Sequence, residues 1–221
     1  MNRLVLFDLD HTLLAGDSDV EWPRFLIRRG LLDAEETNRR NDAFYEQYKA
    51  GTLDMNEFLA FQLAPLARFT MEELHALHAD YMQEHILPLI TDKARQLVVG
   101  HQAQGDLVVI ITATNRFVTA PIAAELGVSH LIATEPEIVD GRYTGKPTGI
   151  PSFQAGKITR LELWLADRKQ RWSDFGETWF YSDSRNDLPL LERVTHPVAV
   201  NPDSLLKAVA EEQGWPIVHT Y

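Results

Sequence analysis

The sequence predicts an α/β fold of three layers, in which helices cover both faces of a parallel sheet and a helical bundle is inserted after the first strand. Short apolar segments that are typical of buried strands alternate with helical patterns after residue 90. The first apolar segment, residues 4–7, runs directly into Asp8 and Asp10. Between about residue 20 and residue 86 no segment has a strand pattern, so we expect the helices there to form a small bundle.

Size and composition narrow the class of protein. A chain of 221 residues can form one good core with an insert, or two small domains. The net charge of −11 argues against a general nucleic-acid partner or an anionic membrane surface. The absence of cysteine excludes disulfides, thiolate catalysis and thiolate zinc sites. No signal peptide or membrane span is visible, which predicts a cytoplasmic enzyme, and nothing in the sequence indicates an oligomeric state.

The insert is predicted from helical spacing and from its breaks. Apolar residues recur with helical period in four segments, and Gly30, Gly51 and Pro88 interrupt the pattern between or after them. Thr70, three residues before Glu73, has the capping-box pattern of a helix start. The four predicted helices span residues 20–29, 34–49, 55–66 and 71–85. We therefore predict a helical cap domain over residues 16–88 and a core domain made of residues 1–15 and 89–221.

The remaining elements alternate as a parallel sheet requires. Asp140-Gly141 suits a tight hairpin turn within residues 136–143, and residues 144–151, rich in Gly and Pro, predict a loop. The predicted strands after the insert span residues 106–112, 130–133, 177–181 and 196–200. The predicted helices span residues 91–104, 117–126, 153–168, 188–193 and 202–211.

Polar groups follow several predicted strands at the point where each strand ends. Asp8 and Asp10 follow the first strand, Thr112 ends the second, and Asp183 and Asp187 follow a later one. In open α/β sheets ligands bind at the carboxyl ends of the strands, so we expect these side chains to converge. Carboxylates this close repel one another, and a hard divalent cation such as Mg²⁺ would relieve the repulsion.

This set of groups suits phosphoryl transfer. Asp8 could take the phosphoryl group as a nucleophile, while Asp10 protonates the leaving oxygen and then deprotonates water. Thr112 and nearby backbone N–H groups could hold phosphate oxygens, and Lys157 could neutralise charge. Asp183 could complete the cation site. Taken singly, each of these residues would more simply be a strand end, a turn residue or a solvated lysine.

The joint pattern resembles the four motifs of the haloacid dehalogenase superfamily. Residues 7–13 (Phe-Asp-Leu-Asp-His-Thr-Leu) resemble its first motif, and residues 110–112 look like its second, a strand ending in Ser or Thr. Gly156-Lys157 is similar to the lysine motif, and residues 182–187 resemble the acidic fourth motif. The helical insert looks like the C1-type cap of subfamily I, in the phosphoserine-phosphatase-like group IB.

This resemblance implies a Rossmann-like core and a Mg²⁺-dependent phosphatase that acts on a small phosphorylated metabolite through an aspartyl-phosphate. Asp8 would be the nucleophile and Asp10 the acid and base, with Thr112 and Lys157 completing the catalytic set. The implied metal ligands are Asp8, Asp10 and Asp183. The implied phosphate- or substrate-binding residues are Thr112, Ala113, Thr114, Lys157, Asn186, Asp187, Asp17 and Trp22.

Departures from the family pattern bear on the substrate. Ala113-Thr114 stands where phosphoserine phosphatases have Gly-Gly, and residues 56–62 lack the cap arginine that holds a substrate carboxylate in those enzymes. Asp17 or Asp19 could supply the acidic cap group, and Trp22 could line the pocket. An acidic group without that arginine suits an amino-alcohol phosphate such as histidinol phosphate.

Four alternatives remain open at this point. A phosphoserine phosphatase keeps the same chemistry, and a phosphotransferase or phosphomutase keeps the fold but changes the acceptor. A receiver domain also places acids, a Thr and a Lys around Mg²⁺, although the long insert and Asp10 argue against it. A non-catalytic Mg²⁺-binding module would keep only the fold.

Overall fold

The computed structural model describes residues 3–50 and 52–221 and has one seven-stranded sheet as its centre. The strands are β1 (Arg3–Phe7), β2 (Leu107–Asn115), β3 (Leu131–Val139), β4 (Arg142–Thr148), β5 (Glu177–Ser182), β6 (His196–Val200) and β7 (Ile217–Val218). Their order across the sheet is β4-β3-β2-β1-β5-β6-β7, and every pair is parallel except β3 with β4. The first strand therefore lies in the middle, as its apolar sequence predicts.

The nine α-helices of the described residues comprise four in the predicted insert and five that alternate with the later strands as predicted. They are α1 (Ser18–Arg28), α2 (Ala34–Ala50), α3 (Met55–Leu63), α4 (Met71–Tyr81), α5 (Asp92–Ala103), α6 (Arg116–Glu125), α7 (Ala155–Asp167), α8 (Leu188–Leu191) and α9 (Ser204–Gln213). Residue Gly51, where a break is predicted, and the first two residues of the predicted core lie outside the described residues. Across the described ranges, none of the helices combines the length and apolar character needed to cross a membrane.

The sheet is buried on both faces, which confirms the three-layer prediction. Alternate residues of β1 point to opposite sides, because side chains along a strand alternate. Val5 and Phe7 belong to a cluster that includes residues of α5 and α6, whereas Leu4 and Leu6 belong to a second cluster with residues of α7, α8 and α9. All four side chains have no exposed surface. The site-bearing strand is thus held rigidly from both sides.

Helices α1 to α4 form the helical cap between β1 and α5. Trp22 of α1 stacks on Phe25 and meets Tyr81 of α4 and Phe117 of α6 edge to face, with ring centroids 5.1–5.7 Å apart. The cap and the core therefore share one aromatic cluster. Their division into domains at residues 15/16 and 88/89 stays a prediction.

Two predicted helices end earlier than the apolar spacing indicates. The helix predicted to residue 66 ends at Leu63 and continues as a 3₁₀ segment, Ala64–Arg68. Pro65 lacks the N–H that an α-helix would use there. The helix predicted to residue 85 ends at Tyr81 and continues as a π-helical turn, Met82–Ile86. Sequence spacing alone does not distinguish these neighbouring helical forms, because all three bury similar faces.

The sheet is more extensive than predicted at one edge. The predicted loop 144–151 is wrong over its first part, because β4 continues to Thr148 and pairs with β3 back to Glu135. The hairpin turn itself is confirmed, with positive φ at both Asp140 and Gly141. Strand β7 follows α9 and pairs with β6, although its two residues carry too short a pattern to predict.

The β3–β4 hairpin also contacts the cap. A Cβ placed on Gly145 would lie 3.3 Å from the Cα of Ala64 and 3.4 Å from the Cβ of Ala67. Gly145 has a φ of +80°, so both its backbone conformation and this close approach favour glycine. Because small residues meet on both sides, the edge strand packs directly on the backbone of the cap.

Candidate active site

A buried lysine joins the first and the fourth motif. Lys157 Nζ donates to Asp8 Oδ1 over 2.9 Å and to Asp187 Oδ2 over 2.7 Å. All three side chains are buried, with 3%, 12% and 4% of their surface exposed. The Ser182 hydroxyl also donates to Asp187 Oδ2 over 2.7 Å. Burial opposes the charge on Lys157, but the two carboxylates outweigh it and raise the pKa of the lysine. Lys157 is therefore a fixed positive charge beside Asp8.

The local sequence explains how Lys157 reaches this position. It lies in the first turn of α7, one residue after Gly156. A Cβ on Gly156 would overlap the carbonyl oxygen of Pro151, so the preceding loop can pass this close only to a glycine. Gln154, which precedes the helix, has a φ of +50°. The loop is folded tightly onto the start of the helix and directs Lys157 to the strand ends.

Burial and mutual repulsion act on the carboxyl groups of Asp8 and Asp183. Burial raises the pKa of Asp8 to about 7, Lys157 opposes this rise, and Asp187 adds to it. Burial raises the pKa of Asp183 to about 9, and the charges of Asp8 and Asp187 contribute to the same rise. The only side-chain hydrogen bond to Asp183 found among the described residues comes from Thr12, over 3.2 Å. These carboxyl groups have too little positive charge around them.

That deficit fits a hard divalent cation. Among residues 3–50 and 52–221, no three acidic or histidine side chains converge closely enough to enclose a metal alone. Mg²⁺ commonly takes one or two carboxylates and keeps several waters, so Asp8 and Asp183 suffice as the charged ligands. Asp10 is a different case, because both of its carboxylate oxygens already accept hydrogen bonds. Each oxygen keeps a further lone pair, so a role for Asp10 as a metal ligand stays a prediction.

Asp10 is held between the cap and the second motif. Its Oδ1 accepts from the backbone N–H of Ser18, the first residue of α1, over 2.6 Å, and its Oδ2 accepts from the Thr114 hydroxyl over 2.9 Å. Burial raises the pKa of Asp10 to about 6, and Asp17 adds to the rise, while the Ser18 and Thr114 hydrogen bonds oppose it. A carboxyl group with a pKa near neutrality can both give and take a proton.

The second motif lies within a strand and not at its end. Strand β2 continues to Asn115, with an irregularity in its pairing between Ile111 and Asn115. Such irregularities often occur beside active sites, where they redirect side chains. The Thr112 hydroxyl is buried and accepts the Thr114 N–H over 3.1 Å. Thr112, Ala113 and Thr114 all line the same cleft as Asp8, and the hydroxyl of Thr114 donates to Asp10.

The cleft has a volume of about 560 Å³ and separates the strand ends from the cap. Its cap side combines acids, amides and apolar groups. The acidic and amide residues are Asp17, Asp19, Asp42, Asn38, Asn41 and Gln62, and the apolar ones include Val20, Ile27, Phe44, Met55 and Phe58. Among the described residues, its basic residues are Lys157, Arg24 and His11. Arg24 pairs with Glu21 over 2.6 Å, and His11 lies 4.0 Å from Asp17. The cap side therefore favours a positively charged group on the substrate.

The two acidic candidates at the start of α1 differ in their contacts. Asp17 is the N-cap of α1 and accepts the N–H groups of Asp19 and Val20. Among the hydrogen bonds and ion pairs of the described residues, none involves the Asp19 carboxylate, and burial raises its pKa, with Asp17 and Asp10 adding to the rise. Asp19 thus lacks the countercharge that a bound ammonium would supply.

Trp22 does not line the cleft, contrary to the pocket position that its sequence place predicts. Only 4% of its surface is exposed, and its ring packs in the aromatic cluster with Phe25 and Tyr81. The inner face of α1 is buried against α4 and α6, and its other face, with Val20 and Ile27, lines the cleft. Asn186 and Asp187 do line it, and Asn186 accepts a hydrogen bond from Gln154 over 3.1 Å.

Several functional contacts were not predicted from the sequence. Thr134 of β3 donates to the carbonyl oxygen of Ala113 over 2.7 Å and accepts the Ser152 N–H over 3.2 Å. Glu135 pairs with Arg116 of α6 and with Arg160 of α7, each over 2.8 Å. Thr134 and Glu135 thus connect the second motif, which ends at Thr112, with the loop and helix that carry Lys157. The sequence around Thr134 and Glu135 does not predict these contacts, because a Thr or a Glu within a strand is common.

Comparison with known proteins identifies the family of this chain. The family model of haloacid dehalogenase-like hydrolases matches residues 5–192. A histidinol-phosphatase of Neisseria meningitidis serogroup C is 49% identical over 220 residues, which are 99% of both chains. The phosphoserine phosphatase SerB1 of Mycobacterium tuberculosis is 34% identical over 98% of this chain and 70% of its own. A crystal structure of a Bordetella pertussis protein of unknown function matches with a TM-score of 0.96, 49% identity and full coverage of both chains. The chain belongs to the haloacid dehalogenase-like hydrolases and is an enzyme of the phosphatase type.

Proposed function

We propose that this protein hydrolyses a small phosphomonoester in two steps, with Asp8 as the nucleophile and Asp10 as the acid and base. The observation that carries the proposal is the buried Lys157 ammonium, 2.9 Å from Asp8, with Asp10 at the same strand end. A fixed cation beside the nucleophile offsets the repulsion between its carboxylate and an incoming phosphate. Thr112 and the backbone N–H groups that follow it would bind the phosphoryl oxygens.

In the first step Asp8 forms a bond from its carboxylate oxygen to phosphorus. The ester P–O bond breaks, its electron pair goes to the alcohol oxygen, and that oxygen takes the proton of Asp10. In the second step Asp10 takes a proton from water, whose oxygen attacks phosphorus and releases Asp8 and inorganic phosphate. Mg²⁺ held by Asp8 and Asp183 would supply further positive charge for the phosphoryl oxygens.

We further propose an amino-alcohol phosphate such as histidinol phosphate as the substrate, encountered in the cytoplasm. Support comes from the Neisseria relative of that name and from the acidic cap side of the cleft. Asp19 would receive the substrate's cationic group, because its carboxylate has no countercharge of its own. Phe44 and Phe58 would contact the flat part of the substrate.

Phosphoserine is the second candidate, supported by the SerB1 relative. Its carboxylate would need a cation, and Arg24 is the cap arginine that lines the cleft. The Arg24 guanidinium pairs with Glu21 and is 60% exposed, which makes it a weak carboxylate ligand. We therefore rank phosphoserine second.

The test is phosphate release from histidinol phosphate, phosphoserine, a sugar phosphate and an aryl phosphate, with Mg²⁺ and with EDTA. We expect Mg²⁺-dependent release that is fastest with histidinol phosphate and absent in Asp8→Asn. A preference for phosphoserine would contradict the proposed substrate. A phosphate transfer that requires an added sugar or alcohol acceptor would overturn hydrolysis. Release that persists in Asp8→Asn would overturn the nucleophile.

A further inference from the structure

Thr114 has an unusual place among the groups around the reacting atoms. The residue is 7% exposed, and its hydroxyl donates to Asp10 Oδ2 over 2.9 Å. The other Asp10 oxygen accepts the Ser18 N–H over 2.6 Å. These two donors lie on different parts of the molecule, one at the start of the cap and one on β2. The carboxyl group of Asp10 is therefore held at both oxygens. The Ser18 donor is a backbone N–H, whereas the Thr114 donor is a side-chain hydroxyl.

The backbone around Thr114 is itself fixed. Its N–H donates to the Thr112 hydroxyl over 3.1 Å, and it lies in the irregular part of β2 between Ile111 and Asn115. The neighbouring Ala113 carbonyl accepts the Thr134 hydroxyl. A side chain at position 114 consequently has a defined direction. A glycine there would leave Asp10 with the cap contact alone.

We propose that Thr114 is a positioning residue for Asp10, which orients the carboxyl group toward the leaving oxygen of the ester. The inference rests on the proposed role of Asp10 as the general acid. The Thr114 hydroxyl does not donate to the phosphoryl group, because its one hydrogen is already in the hydrogen bond to Asp10. Loss of the hydroxyl leaves Asp10 free to rotate about its hydrogen bond to Ser18, and proton delivery to the alcohol oxygen becomes inefficient.

The leaving group separates this role from a general structural one. An alkyl alcohol leaves poorly without a proton, whereas p-nitrophenolate leaves without one. The quantity kcat/KM includes only the steps up to cleavage of the ester bond, so it excludes the later attack of water. A defect in proton delivery therefore lowers kcat/KM for an alkyl phosphate far more than for p-nitrophenyl phosphate.

The experiment measures kcat/KM of the Mg²⁺-loaded protein for both esters in wild type, Asp10→Asn, Thr114→Val and Thr114→Ser. Asp10→Asn calibrates the effect and should lose about 10²–10⁴-fold with the alkyl ester and much less with the aryl ester. For Thr114→Val we expect about a tenfold loss with the alkyl ester and less than about twofold with the aryl ester. Thr114→Ser keeps the hydroxyl and should restore most of the alkyl activity.

A matched control removes another buried threonine hydroxyl. Thr119 of α6 has no exposed surface and donates over 3.0 Å to the carbonyl of Asn115, the N-cap of the same helix. Thr119→Val should leave the ratio of alkyl to aryl activity at the wild-type value. If Thr114→Val unfolds, Thr114→Ala removes the same hydroxyl without added bulk.

Equal losses with both esters in Thr114→Val, while Asp10→Asn discriminates between them, would overturn the proposal for Thr114 alone. A weaker inhibition by inorganic phosphate accompanying those equal losses would assign the hydroxyl to phosphate binding instead. If Asp10→Asn itself shows no discrimination, the acid role of Asp10 fails, and the proposed mechanism fails with it.

Discussion

The Thr134 hydroxyl holds the peptide of Ala113 in place by donating to its carbonyl oxygen over 2.7 Å. The same hydroxyl accepts the Ser152 N–H from the loop that precedes Lys157. One buried side chain therefore links the segment that we propose to bind phosphate to the loop before Lys157. Thr134→Val keeps the shape but leaves both backbone groups without this partner, a cost of roughly 1–3 kcal/mol for each orphaned group.

We expect Thr134→Val to raise the KM and the inhibition constant for inorganic phosphate about tenfold, because the N–H groups after Thr112 lose their fixed direction. Steady-state kinetics and phosphate inhibition measure both quantities. Thr134→Ser keeps the hydroxyl and is the control. Unchanged phosphate inhibition in a folded Thr134→Val protein would show that this contact does not position the segment.

Gly156 is predicted to be irreplaceable by alanine. The added Cβ would overlap the Pro151 carbonyl oxygen, so either the loop or the start of α7 must move, at a cost of roughly 1–3 kcal/mol. Because Lys157 is the next residue, kcat should fall together with the midpoint of urea unfolding. Gly100→Ala in α5 is the matched control, because nothing lies within 4 Å of its added Cβ. That control should be neutral or more stable by up to about 1 kcal/mol.

Mg²⁺ should stabilise the folded protein through Asp183. At a hundred times its dissociation constant a ligand adds about 2.7 kcal/mol, and a chain of this size gains roughly 2–4 °C in Tm per kcal/mol. We expect this shift in wild type and a much smaller one in Asp183→Asn, measured by thermal unfolding with Mg²⁺ or EDTA. Asp174→Asn, which lies on the surface, should shift as wild type does. Equal shifts in all three proteins would place the cation elsewhere.

Asp19 should determine recognition of the substrate's cationic group. Asp19→Asn removes the charge with little change in size, so the KM for an amino-alcohol phosphate should rise about tenfold or more, as expected for one charge-assisted hydrogen bond. A simple alkyl phosphate without an amine is the control substrate, and its KM should change less than about twofold. An equal rise in KM for both substrates would mean that Asp19 maintains the shape of the cleft and does not bind the amine.

Glu135 should make stability depend on pH in the acid range. Burial alone would raise its pKa, but Arg116 and Arg160 outweigh burial and hold the pKa below the ordinary value of 4.5. The carboxylate therefore stabilises the fold fully above about pH 4.5, and this contribution is lost as the pH falls through the lowered pKa.

Urea unfolding of wild type and Glu135→Gln from pH 7 to pH 3 measures this contribution. The difference in free energy of unfolding should be constant near neutrality and shrink below about pH 4.5. Glu36→Gln, in an ion pair whose side chains are 55% and 68% exposed, should show almost no difference at any pH. A Glu135→Gln difference that does not vary with pH would rule out the ion pairs as its source.

The elements that the sequence predicts well are those with local signals. The apolar run before Asp8, the capping box at Thr70 and the Asp140-Gly141 turn are each specified within a few residues, and the structure has all three. The convergence of Asp8, Thr112 and Asp183 on one cleft is also predictable, because parallel strand ends meet at one edge of a sheet. Lys157 lies in the first turn of a helix, so its place beside Asp8 is predicted only from its motif.

The contacts that the sequence does not predict depend on tertiary geometry. The direction of the Thr114 hydroxyl depends on the irregularity in β2, and the burial of Trp22 depends on which face of α1 packs on α4. The Thr134 hydroxyl bonds to a backbone carbonyl 21 residues earlier in the chain. Every residue type has this carbonyl, so the sequence does not single out the partner. Residue type alone carries none of this information.

The contact of Gly145 with Ala64 and Ala67 gives the β3–β4 hairpin a second purpose. Through this contact the edge of the sheet supports the 3₁₀ segment Ala64–Arg68 of the cap. Thr134 and Glu135, which support the second and third motifs, lie at the β3 end of the hairpin, so a change of length near Gly145 would reach the cap before it reaches the reacting residues. In this molecule the chemistry and the choice of substrate can therefore diverge separately.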